Sequence, residues 1–354
     1  MQVLSFFSKV GDIWSLVWPY LVAVLVFLFV IFIHEFGHFI AAKLNGVKVN
    51  EFAIGFGPAL FKKQGKETLY AVRAVPFGGY CAMEGEDETS EDNRAFCNKK
   101  AWQRLTIIVA GAFMNLVLGL ILVMLTLAPA DRYITTTVYG FHEDNVMSQQ
   151  SGLAAGDKIV EINGRAIYSV NDLSYCLTNV KGDTLQMKVI RNGHKKDLDV
   201  KFNVETMEGI NYVDIDFYLD TEDKTFGSFM RQSFTRTVSY GRVVWFSLID
   251  LITGKYGISA MSGPVGVTAA IGTVAKRGLS DLLPMLALIT INLGVFNLLP
   301  VPALDGGRAF FLFVEMIIRR PIPQKFEGAV HAVGLILLLG LIAVITVKDI
   351  IGFF

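Results

Sequence analysis

Four stretches of this sequence stay apolar long enough to cross a lipid bilayer, and nothing else in it constrains the fold as much. A helix rises about 1.5 Å per residue, so about 20 apolar residues span the hydrocarbon core. Residues 13–33, 105–130 and 282–304 carry no charged side chain, and residues 328–347 carry only His331 among groups that can be charged. The composition agrees: 53% of the 354 residues are hydrophobic and 18% are charged, against about 25% charged in a soluble chain. Lys+Arg and Asp+Glu are equal at 32 each. No positive excess points to nucleic acid, and the expected surroundings are a lipid bilayer. Cys81, Cys97 and Cys176 are too few and too scattered for a disulfide scaffold or a cysteine zinc site.

Basic residues beside membrane spans mark the cytoplasmic side. Lys43, Lys48, Lys62, Lys63, Arg94, Lys99, Lys100 and Arg104 lie between the first two stretches, and Arg308, Arg319, Arg320 and Lys325 between the last two. Those segments are expected inside. Both termini and residues 131–281 are expected outside a multi-pass plasma-membrane protein.

The segments between the spans read differently from one another. Residues 47–53 and 68–75 alternate in polarity as strands do, with Gly55, Gly57 and Pro58 as turns and residues 76–80 closing the unit. Residues 132–203 read as a small β-rich domain. Lys158 to Ile162 ends in Asn163-Gly164, and a second run ends in Asn192-Gly193; both pairs tolerate positive φ and signal hairpins. Ser169 can cap a short helix through Leu177. Residues 226–254 mix Phe226, Met230, Phe234, Val238 and Trp245 with Arg231, Arg236 and Arg242, the pattern of helices lying on a membrane surface. Residues 258–275 read as a loop and a short helix. The expected organisation is a first transmembrane helix (1–44), a cytoplasmic-side β element and loop (45–104), a second transmembrane helix (105–130), a β-rich domain (131–205), an extracytoplasmic linker with amphipathic helices (206–280), a third transmembrane helix (281–320) and a fourth (321–354).

The chemistry concentrates where the first span ends. His34-Glu35-Phe36-Gly37-His38 is H-E-x-x-H. On a helix, positions four apart differ by about 40° in direction, so both imidazoles converge on one ion, and Glu35 can reach it through a water. Catalytic zinc takes three protein ligands and keeps a fourth position for water, which becomes a nucleophile near neutral pH. Glu35 then accepts that water's proton and delivers it to the leaving amine. Three ionisable groups beside an apolar span otherwise need another reason to be there, the alternative being that they mark the water interface. His142 and His194 fall in the outer domain, so the third ligand is expected to be Asp305, with His331 as the other candidate. Pro300 and Pro302 break the third span just before Asp305, and broken backbone at membrane depth is tolerated only inside protein or beside a watery cavity. Asp305 can equally cap the run that follows, and capping does not preclude ligation.

The HEFGH motif of residues 34–38 with Asn297-Leu298-Leu299-Pro300-Val301-Pro302-Ala303-Leu304-Asp305-Gly306-Gly307 resembles the site-2 protease family. Phe77-Gly78-Gly79-Tyr80, Gly111-Ala112-Phe113-Met114-Asn115 and Ser262-Gly263-Pro264-Val265-Gly266 extend the likeness over nearly the whole chain. Ser151-Gly152-Leu153-Ala154-Ala155-Gly156-Asp157, with the Lys158–Gly164 run, resembles a PDZ domain of the bacterial protease-associated kind. The chain is thus similar to the one-PDZ, RseP/RasP-type branch. The resemblance implies an α-helical polytopic membrane protein with four transmembrane helices, a membrane-associated β element and an extracytoplasmic PDZ domain. It implies Zn2+ held by His34, His38 and Asp305, Glu35 as acid/base, and Asn297 contacting substrate or the oxyanion. The β element's edge would pair with an unwound substrate strand, and the PDZ domain would dock a peptide or gate by size. The substrates implied are transmembrane segments of single-span proteins, such as anti-sigma factors or signal-peptide remnants. Gly111–Asn115 reads as small-residue helix packing or as substrate positioning. The alternatives are a catalytically silent membrane protein that binds clients through its PDZ domain, and a transporter.

Overall fold

A computed structural model describes residues 2–352 apart from 87, 144–145, 179, 208–209, 256 and 258–260. The helices are α1 (Gln2–Leu44), α2 (Ala101–Leu127), α3 (Met147–Gln150), α4 (Val170–Cys176), α5 (Phe226–Ile252), α6 (Pro264–Arg277), α7 (Leu279–Leu298), α8 (Asp305–Ile318) and α9 (Gln324–Gly352). The strands are β1 (Val49–Gln64), β2 (Leu69–Met83), β3 (Arg132–Phe141), β4 (Lys158–Ile162), β5 (Arg165–Ala166), β6 (Thr184–Arg191), β7 (His194–Lys201), β8 (Asn203–Met207), β9 (Ile210–Asp214) and β10 (Phe217–Asp223). They form two units, residues 1–122 with 250–354, and residues 123–249.

In the first unit, four helices are long and apolar enough to cross a membrane: Val17–Leu44 of α1, α2, α7 and Lys325–Gly352 of α9. The helix bearing His34 continues ten residues past it, so the motif lies inside a helix and not at its end. The third span is shorter than residues 282–304 suggest. α7 stops at Leu298, where Leu299 turns to extended backbone ahead of the two prolines, and a separate helix, α8, begins at Asp305. Apolar helices in lipid gain little from burying apolar area, so close packing decides their contacts. Small residues provide it here. A Cβ on Gly294 would fall 3.0 Å from the Ala112 carbonyl oxygen, and one on Gly119 would fall 2.3 Å from Ile291.

The β element is also longer than its turn residues imply. β1 runs through Gly55, Gly57 and Pro58, and β2 through residues 76–80. Gly55, Gly57 and Gly78 take positive φ (83°, 82° and 78°), which bends and bulges the strands without ending them. β1 therefore pairs twice: Ile54 is opposite Gly79 on one side and Val72 on the other, and residues 59–64 pair with 69–73. A core of Ala42, Val47, Val49, Phe52, Met83, Phe96, Ile107 and Leu312 joins this hairpin to the end of α1, the start of α2 and α8.

α6 starts at Pro264, and its N-cap, Gly263, has no capping side chain of its own. The cap comes from α9. Asp349 Oδ2 accepts from Gly263 N–H and Gly266 N–H, both at 2.8 Å, and a Cβ at either glycine would come within 3.0 Å of that oxygen. The helix within 258–275 is thus α6; residues 258–260 of that stretch lie outside the described residues.

The second unit is a sheet of order β10-β3-β4-β6-β7, with β5 paired to β4. Both hairpin turns have the expected geometry, with φ of 47° and 78° at Asn163-Gly164 and 52° and 80° at Asn192-Gly193. Ser169 caps α4 in a capping box with Asp172. Leu153, Ile159, Ile162, Leu173, Met187, Val189 and Phe202 fill the core. The sheet reaches past residue 205: β10, in the segment read as linker, is its edge strand and pairs with β3. α5 is one helix that turns Ser233, Ser239 and Val244 inward and exposes Phe226, Met230, Phe234, Val238 and Trp245.

Candidate metal centre

His34 and His38 sit one helical turn apart on α1 and are both buried, and Asp305 opens α8. The loop between α7 and α8 brings Asp305 back to α1. Two glycines make the fold tight enough. A Cβ on Gly306 would fall 2.1 Å from the Leu299 carbonyl oxygen, and one on Gly307 would fall 2.5 Å from that of Val301. His331 Nδ1 accepts from Ala303 N–H at 2.9 Å, which holds the loop. His331, the other candidate ligand, is thus engaged with the loop, and the cluster of mutually close ligand atoms is His34, His38 and Asp305.

Three atoms meet there. His34 Nε2 and His38 Nε2 are 3.2 Å apart, and Asp305 Oδ2 lies 3.0 Å from the first and 3.2 Å from the second. A tetrahedral ion with bonds of about 2.0–2.1 Å holds its ligands about 3.3 Å apart, so the triangle matches one face of a zinc tetrahedron. Oδ2 is buried and receives no hydrogen bond of acceptable geometry, although both imidazoles are near. Three potential ligand atoms converging on one buried point are what a cation resolves. The donor set, two imidazoles and a carboxylate, is one zinc accepts in catalytic sites. The residues therefore fit the metal.

α2 closes the site from the other side. His38 Nδ1 lies 2.9 Å from the Ile107 carbonyl oxygen, and the Asn115 amide lies 3.2 Å from His34 Nδ1. A Cβ on Gly111 would fall 2.3 Å from His38 Nε2, so only glycine lets α2 approach the ring. Glu35 is half-buried beside β2, where a Cβ on Gly79 would come 3.1 Å from its Cγ. Asn297 is buried on the last turn of α7, outside the triangle. A cavity of about 290 Å³ adjoins Asp305, walled by Leu304, Arg308, His331 and Leu335. A larger one of about 890 Å³ shares Arg308 and His331. Sequence reading placed Asn115 only within a stretch read as helix packing or substrate positioning. The missed signal was an amide in an apolar helix, which needs a polar partner.

The fold and the triangle define a candidate metal site built beside helices long and apolar enough to span a membrane. The profile of peptidase family M50 matches residues 22–341, and the chain belongs to that family. A Clostridium acetobutylicum protein named as a zinc metalloprotease is 37% identical over 335 residues, 93% of this chain and 96% of its own. One from Clostridium perfringens, named likewise, is 38% identical over 330 residues, 93% of this chain and 97% of its own. The regulator of sigma-W protease RasP of Bacillus subtilis is 30% identical across 92% of this chain and 97% of its own. With the triangle, these make the chain a zinc metalloprotease.

Proposed function

We propose that this chain is an intramembrane zinc endopeptidase that hydrolyses peptide bonds in the transmembrane segments of single-span membrane proteins. The observation that carries the reading is the triangle of His34 Nε2, His38 Nε2 and Asp305 Oδ2, with both histidines on a helix apolar enough to cross a bilayer and Asp305 at the start of α8. In this reading those three residues hold the zinc. When bound, zinc supplies Lewis acidity, polarising a substrate carbonyl and lowering the pKa of water toward about 7. Glu35 takes the proton of the attacking water on its carboxylate and hands it to the amine nitrogen as the C–N bond breaks. Asn297 offers its amide N–H to the carbonyl oxygen as charge develops there. A helical peptide bond is shielded by its own hydrogen bonds, so the substrate must be extended first. The edge of β2 at Gly79, beside Glu35, is suited to hold such a strand.

Residues 131–205 act in this reading as a PDZ module, screening substrates by peptide capture or by size. The exposed apolar positions of α5 lie on the membrane surface. In this reading His34, His38 and Asp305 lie near the cytoplasmic face and the PDZ module lies outside, which the basic residues flanking the motifs in sequence support. The name of the Bacillus subtilis relative, a regulator of sigma-W, makes anti-sigma factors the first substrates to test, with signal-peptide remnants second. Glu35→Gln is expected to keep zinc and fold while cleavage of a transmembrane reporter falls by at least about 10²-fold. Proteomic comparison of membrane fragments from cells with active and Glu35→Gln protein then identifies substrates. Near-normal cleavage by the variant would refute the acid/base role.

A further inference from the structure

We propose that Asn115 is a positioning residue for His34, with its amide oxygen, not its nitrogen, turned to the imidazole. The proposal rests on reading His34 as a zinc ligand. Both imidazoles aim Nε2 at the point shared with Asp305 Oδ2. For Nε2 to offer a lone pair there, each neutral ring must carry its proton on Nδ1. His38 meets that condition through the backbone, because the Ile107 carbonyl can only accept, and it lies 2.9 Å from Nδ1.

His34 has no carbonyl in the equivalent place. Its Nδ1 faces the Asn115 side chain at 3.2 Å. The two ends of an amide are nearly alike in shape, and only the hydrogen-bond network tells them apart. With nitrogen toward the ring, Nδ1 would be the acceptor and the proton would sit on Nε2, among the ligand atoms. Turned over, the oxygen accepts from Nδ1–H, and His34 acquires the tautomer that His38 already has. The orientation of a ligating imidazole is commonly set in this way by a partner of its second nitrogen.

Asn115 is held firmly enough for the task. It is 0% exposed, and its own carbonyl accepts from Thr290 Oγ1 at 3.2 Å, which ties α2 to α7. Ile107 and Asn115 lie eight residues apart, about two turns of α2. One helix thus supports both imidazoles, by a backbone oxygen at one end and a side-chain oxygen at the other. A buried amide in a membrane helix often serves only to join helices. Here the Asn115 carbonyl already makes the bond to Thr290, and the side chain faces the histidine.

Zinc affinity of the purified full-length protein, measured by competition with a chelator, tests this separately from activity. Asn115→Leu, branched at Cγ like asparagine and without an acceptor, is expected to bind zinc 10- to 100-fold more weakly. Asn115→Asp presents oxygen in either rotamer and is expected to bind close to wild type. In zinc-loaded wild type, NMR of protein labelled with 15N-histidine is expected to show His34 Nδ1 bonded to hydrogen. An Asp variant as weak as the Leu variant, a Leu variant with wild-type affinity, or a His34 Nδ1 without its proton would each overturn the proposal. If Asn115→Leu does not fold, the Asp variant and the NMR spectrum still decide. Full zinc retention by His34→Ala would instead defeat the ligand reading itself.

Discussion

At the scale of single residues, the metal centre depends as much on missing atoms as on present ones. Gly111 shows this best. A methyl group there would lie 2.3 Å from His38 Nε2, so the ring and α2 could not keep their present places. Gly111→Ala is therefore expected to lower zinc occupancy and reporter cleavage together while the helical circular-dichroism signal stays unchanged. Loss of helicity at the same time would show that the glycine serves α2 and not the ligand. The HEFGH motif and Asp305 could be singled out from sequence because their residue types are rare in apolar surroundings. Asn115 could not be assigned, because nothing in a linear pattern tells a helix-packing amide from one facing a histidine.

At the scale of elements, two features hold pieces in place across long stretches of chain. Asp349 caps α6 from α9, doing what Gly263 cannot do for itself. Hydrogen bonds to a charged group contribute about 1.5–3 kcal/mol each, so Asp349→Ala is expected to cost at least about 2 kcal/mol. Unfolding in mixed micelles measures that cost, and faster amide exchange at Gly263 and Gly266 localises it. The second feature anchors the β hairpin. Glu67 accepts from Lys43 Nζ at 2.5 Å and pairs with Arg94 at 2.7 Å. Arg94 and then Lys43 hold its carboxyl down, from an ordinary 4.5 to about 2. A carboxyl lowered on folding stabilises the folded state above its unfolded pKa, and that stability is lost as pH falls from about 4.5 through about 2. The pair is partly exposed, so the effect is small and weakens with salt. Amide protection over residues 49–73, taken relative to the intrinsic exchange rate at each pH, is expected to fall in that pH window in wild type and to change less in Glu67→Gln. The strands themselves were foreseen but cut short, since Gly55, Gly57 and Pro58 read as turns. Glycine at positive φ can equally bend a strand whose ladder continues, and only the partner strand decides which happens.

At the scale of the whole molecule, the testable question is sidedness. Cys97 is half-buried, whereas Cys81 is buried and its thiol is pushed far above the ordinary range by desolvation. In intact cells a membrane-impermeant maleimide is expected to label neither. After permeabilisation it is expected to label Cys97 and still to spare Cys81. Labelling of Cys97 in intact cells would reverse the proposed orientation.

Hydrophobic length, helical spacing and rare polar residues are properties of the chain read in order, so the sequence alone determined the four apolar helices, both Asn-Gly turns and the His34–Glu35–His38 array. The break after Leu298 was also legible, because proline cannot continue a helix. Only the tertiary structure decided that Asp305 meets the two histidines, that Asn115 faces His34, that β10 joins the sheet of β3, and that α9 caps α6. Each of these joins residues at least 76 positions apart, and such contacts are set by which helices and strands pack side by side, a choice that local periodicity does not encode.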